Sequence, residues 1–198
     1  TADDGMHGEE LWRSDGTENG TFMINDINRG ADGSEPLSLI EFNGLLYFTA
    51  NDGMYGTELW RSDGTEAGMF MVKDIKPGTY GSKLLHLTEC NGLLYFRASD
   101  GMHGDELWRS DGTEAGTLMV KDIRTGADSS LPSFLTEYNG QLYFSASDGT
   151  HGDELWRSDG TEAGTVMVKD INTGADGSEP SHLTAMNGLL YFTVNDGT

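Results

Sequence analysis

Four short segments gather the residues best suited to chemistry. They read Asp-Asp-Gly-Met-His-Gly-Glu-Glu from Asp3, Asn-Asp-Gly-Met-Tyr-Gly-Thr-Glu from Asn51, Ser-Asp-Gly-Met-His-Gly-Asp-Glu from Ser99 and Ser-Asp-Gly-Thr-His-Gly-Asp-Glu from Ser147. One slot always holds a carboxylate: Asp4, Asp52, Asp100, Asp148. Three residues on, one slot always holds a planar ring: His7, Tyr55, His103, His151. A carboxylate accepts hydrogen bonds from hydroxyls, a ring that donates or accepts stands beside it, and glycine turns expose backbone N–H groups. That combination suits a polyhydroxylated ligand. These eight residues are the candidate ligand-binding set. The competing reading is a solvent-facing turn with an ordinary histidine.

Other chemistries find less support. There is no Gly-x-Ser-x-Gly elbow, phosphate loop or dinucleotide fingerprint. A glycoside-cleaving carboxylate pair needs two unequal environments, and fourfold copies supply nearly equal ones. No catalytic residue is therefore assigned, and the chain reads as a non-enzyme. Five His are scattered and the single Cys90 is isolated, which argues against zinc and rules out an intrachain disulfide. Cys90 shares its slot with Phe42, Tyr138 and Met186, so an apolar position is expected. Oxygen ligands are abundant, yet no Asp-x-Asp-x-Asp-Gly loop occurs. Calcium or another cation, in the Asp-rich loops or on a central axis, stays a candidate and no more.

Charge narrows the partners. The 198 residues carry 33 Asp and Glu against 12 Lys and Arg, a formal net charge of −21. Such a surface repels phosphate backbones and anionic lipid, so nucleic acid is excluded as a partner. No apolar run approaches membrane-spanning length, so membrane insertion is not expected, and no signal peptide is visible. Glycans or glycoproteins fit best, and oligomerisation stays open.

The elements that hold these loops repeat. Trp12, Trp60, Trp108 and Trp156 recur every 48 residues, each in the phrase Glu-Leu-Trp-Arg-Ser-Asp-Gly-Thr. Self-similarity at such a period signals a solenoid, propeller or array. Each unit has four candidate strands. In the second unit they are Leu37–Phe42, Leu45–Ala50, Glu58–Ser62 and Phe70–Ile75. Asn43-Gly44 and its copies fit a two-residue type I′ hairpin. The candidate loop joins strands two and three, and the Asp-Gly-Thr turn joins three and four. Variable links (Asn28–Pro36, Lys76–Leu84, Arg124–Pro132 and Asn172–Pro180) lead into the next unit.

The Trp suits packing between sheets, with a platform for stacking a sugar ring as the lesser reading, and the Asp after it suits capping of turn N–H groups. Arg13, Arg61, Arg109 and Arg157 could each pair with a blade carboxylate such as Asp26, Asp74, Asp122 or Asp170. Strand two is apolar on both faces, as in Leu45–Ala50, so it needs neighbours on both sides. Stacked blades supply them, and the 28 Gly fit a turn-rich fold. The expectation is a single all-β domain, 1–198: a four-bladed β-propeller with four antiparallel strands per blade. The blade units run 37–84, 85–132, 133–180, and 181–198 completed by 1–36. Pairing of Leu189–Val194 beside Glu10–Ser14 would close the ring. One wrinkle is that Thr193–Thr198 matches Thr1–Met6, so two segments compete for one slot.

The phrase Glu58-Leu59-Trp60-Arg61-Ser62-Asp63-Gly64-Thr65 and its three copies resemble the ELWxxDGT-repeat family across essentially the whole chain. The resemblance implies a tandem-repeat, propeller-like architecture and a secreted or cell-surface location. It brings no established reaction. Together these readings predict an extracellular binding module with multivalent, lectin-like carbohydrate recognition. The alternative is a cation-stabilised structural or adhesion repeat without a small-molecule site.

Overall fold

Each Asn-Gly pair turns a hairpin. Asn43 and Gly44 have φ of 52° and 78°, the two positive values that a type I′ turn requires. Around such turns the chain, described over residues 1–198 by a computed structural model, is all β, with no helix. It opens with four short strands, β1 (Ala2–Asp3), β2 (Glu9–Glu10), β3 (Trp12–Arg13) and β4 (Phe22–Met23). Three antiparallel sheets of four strands follow. The first holds β5 (Leu37–Phe42), β6 (Leu45–Asn51), β7 (Thr57–Ser62) and β8 (Phe70–Lys73). The second holds β9 (Leu85–Cys90), β10 (Leu93–Ser99), β11 (Asp105–Ser110) and β12 (Leu118–Lys121). The third holds β13 (Ser133–Tyr138), β14 (Gln141–Ser147), β15 (Asp153–Ser158) and β16 (Val166–Lys169). A final hairpin holds β17 (Ser181–Met186) and β18 (Leu189–Thr193).

The expected ring closure is not made. Glu10 pairs with Ala2, and Leu189–Thr193 pairs with Ser181–Met186 alone. There are therefore six sheets rather than four complete blades: three of four strands and three of two. The duplicated ends explain the outcome. Ala2–Asp3 repeats the end of a second strand, and it sits next in sequence to the edge of β2. It fills the slot that Leu189–Val194 was expected to take.

Two compact units result, Thr1–Leu84 and Leu85–Thr198. In the first, Leu11, Ile24 and Ile27 of the N-terminal repeat pack with Phe48, Ala50 and Met69 of the next, and Trp60 lies against them. In the second, Leu107, Val120 and Ile123 pack with Phe144, Ala146 and Trp156. Each of these Trp residues thus sits where consecutive sheets meet. Burying an indole of this size is worth roughly 4–6 kcal/mol of transfer free energy. Within the second unit the first strands of successive sheets are neighbours, β9 beside β13 and β13 beside β17. Cys90 is buried in this core, and burial pushes its thiol up to about 11, so it behaves as an apolar residue.

Candidate functional site

The loop between the second and third strands is built by its aspartate. Asp52 Oδ1 accepts the N–H groups of Met54 and Tyr55, both at 2.9 Å. Asp4, Asp100 and Asp148 do the same in their own repeats. In three repeats the second oxygen is also taken. His7 Nδ1 lies 2.8 Å from Asp4 Oδ2, His103 Nδ1 2.7 Å from Asp100 Oδ2, and His151 Nδ1 2.8 Å from Asp148 Oδ2. The bond to the imidazole, joined by the turn N–H groups, lowers Asp4 to about 2, and the same bond raises His7. Of the eight expected ligand-binding residues, six therefore form three local carboxylate–imidazole pairs, and Asp52 and Tyr55 do not. The pairs leave Nε2 as the ring position for an incoming hydroxyl.

Tyr55 changes the electrostatics of its repeat. With no imidazole in that slot, burial and the Asp52 charge together raise Asp74. One oxygen of Asp26, Asp74, Asp122 and Asp170 is enclosed without a hydrogen-bond partner, as is the indole N–H of Trp60, Trp108 and Trp156. Trp12 differs, donating to the Ala2 carbonyl at 3.0 Å.

The expected Arg–Asp pairs are not what holds Arg13 or Arg157. Arg13 donates to the Gly64 carbonyl at 2.9 Å and covers the Phe22 ring at 4.7 Å. Arg61 covers Phe70 at 4.2 Å, and Arg157 reaches Gln141 at 3.4 Å. Register explains the stacking, because Arg13 pairs across the ladder with Phe22, and Arg61 with Phe70. Asp26 instead accepts the Gly30 N–H, and Asp122 the Gly126 N–H.

Three features escaped the sequence reading. The first is the glutamate of the Trp phrase. Glu10, Glu58, Glu106 and Glu154 are fully buried, as are Ser34, Ser82, Ser130 and Ser178. Glu106 accepts the Ile123 and Ser130 N–H groups, both at 2.9 Å, and the Ser130 hydroxyl at 2.6 Å. Burial raises Glu58 and Glu106 to about 7, against the opposing pull of these donors. The glutamate clamps the end of its own crossing link and so sets where the next repeat begins. Its signal was the fixed 24-residue offset to a serine. The clamp also brings two backbones together: a Cβ on Gly56 would overlap Gly81, and one on Gly81 would overlap Thr57.

The second feature is a row of strained residues on the first strands. Ser38, His86, Phe134 and His182 have φ of 55°, 63°, 55° and 56°, unusual for bulky side chains. A register shift accompanies each. The Phe134 and His182 rings lie 6.2 Å apart.

The third is an open pocket of about 490 Å³ in the first unit. Trp60, Met54 and Asp52 line one side, and Asn28 and Arg29 of the preceding link line the other. Asn28 is fixed by donating to the Gly33 carbonyl at 3.1 Å. The volume falls in the range of small-molecule sites. Asp52 thus joins a Trp that was assigned first to packing and only second to sugar stacking, while Tyr55 stays outside the lining. No cluster of three or more His, Cys, Asp or Glu residues has the geometry to hold a metal ion. No helix is long and apolar enough to cross a membrane.

No protein-family model matches the chain, and no curated protein matches it. Among solved structures, it is similar to a puromycin hydrolase mutant complexed with PGG. That match has a TM-score of 0.45 and 17% identity and covers 92% of this chain and 28% of the hydrolase. The computationally designed Ika8 protein matches with a TM-score of 0.36 and 13% identity, covering 86% of this chain and 58% of that one. An alpha-L-arabinofuranosidase from Clostridium thermocellum matches with a TM-score of 0.31 and 16% identity, over 81% of this chain and 60% of the enzyme. The chain thus spans under a third of the first of these proteins and about three fifths of the others.

Proposed function

We propose that the chain is a non-enzymatic carbohydrate-binding module whose four-stranded sheets stack as propeller-type blades. The observation that carries the reading is the pocket beside Trp60. It combines an aromatic and thioether surface (Trp60, Met54) with a carboxylate, an amide and a guanidinium (Asp52, Asn28, Arg29). Sugars present an apolar C–H face and a hydroxyl rim, and this lining matches both. The side-by-side packing of β9, β13 and β17 supports the blade arrangement. Repetition supports weak, multivalent recognition, in which avidity replaces strong single sites. An extracellular location is part of the proposal and rests on the phrase resemblance.

The test is a titration followed by indole N–H resonances in two-dimensional NMR. The Trp60 signal is assigned by its loss in Trp60→Phe. Addition of glucose, galactose or mannose is expected to shift that signal with millimolar affinity. If no indole signal moves with any of a broad panel of mono- and disaccharides, the module is not a lectin.

A further inference from the structure

We infer that the Trp60 pocket selects sugars that carry a carboxylate, that is, uronic acids. The inference deepens the carbohydrate reading and rests on it. Arg29 carries the argument. Basic residues are scarce, 12 in 198, and most of those described above are engaged. Arg13 and Arg61 cover aromatic rings, and Arg97 lies 3.9 Å from Asp105. Arg29 is exposed at the pocket and enters no ion pair.

Its counterparts are not equivalent. The residue in its own slot is Pro77, Thr125 or Thr173 in the other repeats, so the guanidinium at this position is particular to the first link. One slot earlier, Arg124 is the nearest substitute, but it pairs with Asp128 at 3.2 Å and lies against Gly149. Its charge is spent inside its own link. Only the pocket of the first unit combines a Trp wall with an unpaired guanidinium from the preceding link.

The other polar groups fit the same ligand. Asp52 turns Oδ1 into its own loop, where two N–H groups offset its charge. Its carboxylate is then an acceptor for ring hydroxyls. A guanidinium binds a carboxylate in a forked, bidentate geometry that a hydroxyl does not exploit. A uronic acid supplies all three matching surfaces: C–H face to Trp60, hydroxyls to Asp52, carboxylate to Arg29. The overall charge of −21 opposes long polyanions, so single residues or short oligouronides are the fitting class.

The experiment is isothermal titration of the full chain with sodium glucuronate and sodium galacturonate, against glucose and galactose, at two salt concentrations. The uronates are expected to bind about tenfold more tightly than the neutral sugars, with the difference shrinking at high salt. Arg29→Gln should remove that preference, so that the variant binds uronates no more tightly than it binds neutral sugars. Arg29 is exposed, so the variant should fold, which its melting temperature checks. Equal affinity for uronate and neutral sugar, or a preference that survives Arg29→Gln, overturns this inference and leaves the carbohydrate reading standing. Absence of binding by all four sugars overturns both.

Discussion

Replacing Glu106 by Ala would leave the buried Ile123 N–H without its acceptor, and would leave the N–H and hydroxyl of Ser130 with the Asp105 carbonyl alone. A stranded donor of this kind costs about 1–3 kcal/mol, so with the two weakened Ser130 bonds Glu106→Ala should destabilise by about 2–4 kcal/mol. Glu106→Gln keeps one acceptor oxygen but sets an NH2 group against N–H donors, and should cost about 1–3 kcal/mol. Urea unfolding checks both: a lower midpoint with unchanged slope is the expected result. This residue also shows why part of the site was illegible. In a chain so rich in carboxylates, a repeated Glu reads as solvated surface. Its burial follows from a serine 24 residues away folding back over it, and that is a tertiary fact. Asp52 stood out in the sequence by its repeated slot, but as a ligand acceptor; that its Oδ1 holds the N–H groups of Met54 and Tyr55 is local turn geometry the sequence reading passed over. Trp60 was read chiefly as packing, and its pocket was illegible because the other wall comes from the preceding repeat.

At the level of elements, the turn after the Trp strand is held by a short relay. Asp111 Oδ1 accepts the Thr113 N–H at 2.9 Å and the Thr113 hydroxyl at 2.7 Å, and Thr113 Oγ1 accepts the Gly116 N–H at 3.0 Å. A Cβ on Gly116 would overlap the Asp111 carboxylate. Gly116→Ala should therefore cost about 1–3 kcal/mol. Asp111→Ala alone should cost about 1 kcal/mol for the lost turn bonds. In the double variant the overlap is gone, so the two costs should not add. A coupling of about 1 kcal/mol or more in a double-mutant cycle is expected; strict additivity would mean that the carboxylate is not what excludes the methyl group. Strand positions were read closely from sequence because hairpin turns are local. Leu37–Phe42 agrees to the residue, and Phe70–Ile75 ends early at Lys73. The strained slot at Ser38, His86, Phe134 and His182 left no trace in the sequence, because those residue types do not favour positive φ.

For the molecule as a whole, the shifts set a direction for stability against pH. Asp4 is lowered to about 2, and Asp15, Asp63, Asp111 and Asp159 are lowered as well, each first by a bond from a nearby side chain. Their contribution is present above the ordinary value of 3.8 and is lost as pH falls toward 2. Glu58 and Glu106 shift the other way, from 4.5 to about 7, because burial opposes their charge. The folded chain holds extra protons across that window, so stability falls as pH rises through it. His7, His103 and His151 act in the same direction, since each is raised above 6.5 by its aspartate. Their stabilisation is complete below 6.5 and is lost as pH passes their folded values. Melting temperature should peak between about pH 4 and 5 and decline toward pH 8. A flat or rising curve from pH 5 to 8 would show that these groups do not govern stability. Ring closure was the whole-molecule feature the sequence misjudged: two six-residue ends that hold the same place in the repeat, Thr1–Met6 and Thr193–Thr198, competed for one edge, and the one nearer in sequence took it.

The clamps described above join residues within one repeat, from each Glu to a Ser in the link that follows. Each stretch of 48 residues therefore carries its own fastening and can be treated as a cassette. Between two copies of the Trp phrase, recombination would delete or duplicate one cassette and leave every remaining Glu beside its Ser. Copy number can then change in whole steps of one repeat, each step keeping the Glu–Ser offset. Arg29, which has Pro77, Thr125 and Thr173 in its slot elsewhere, shows how one cassette diverges while its fastening stays the same.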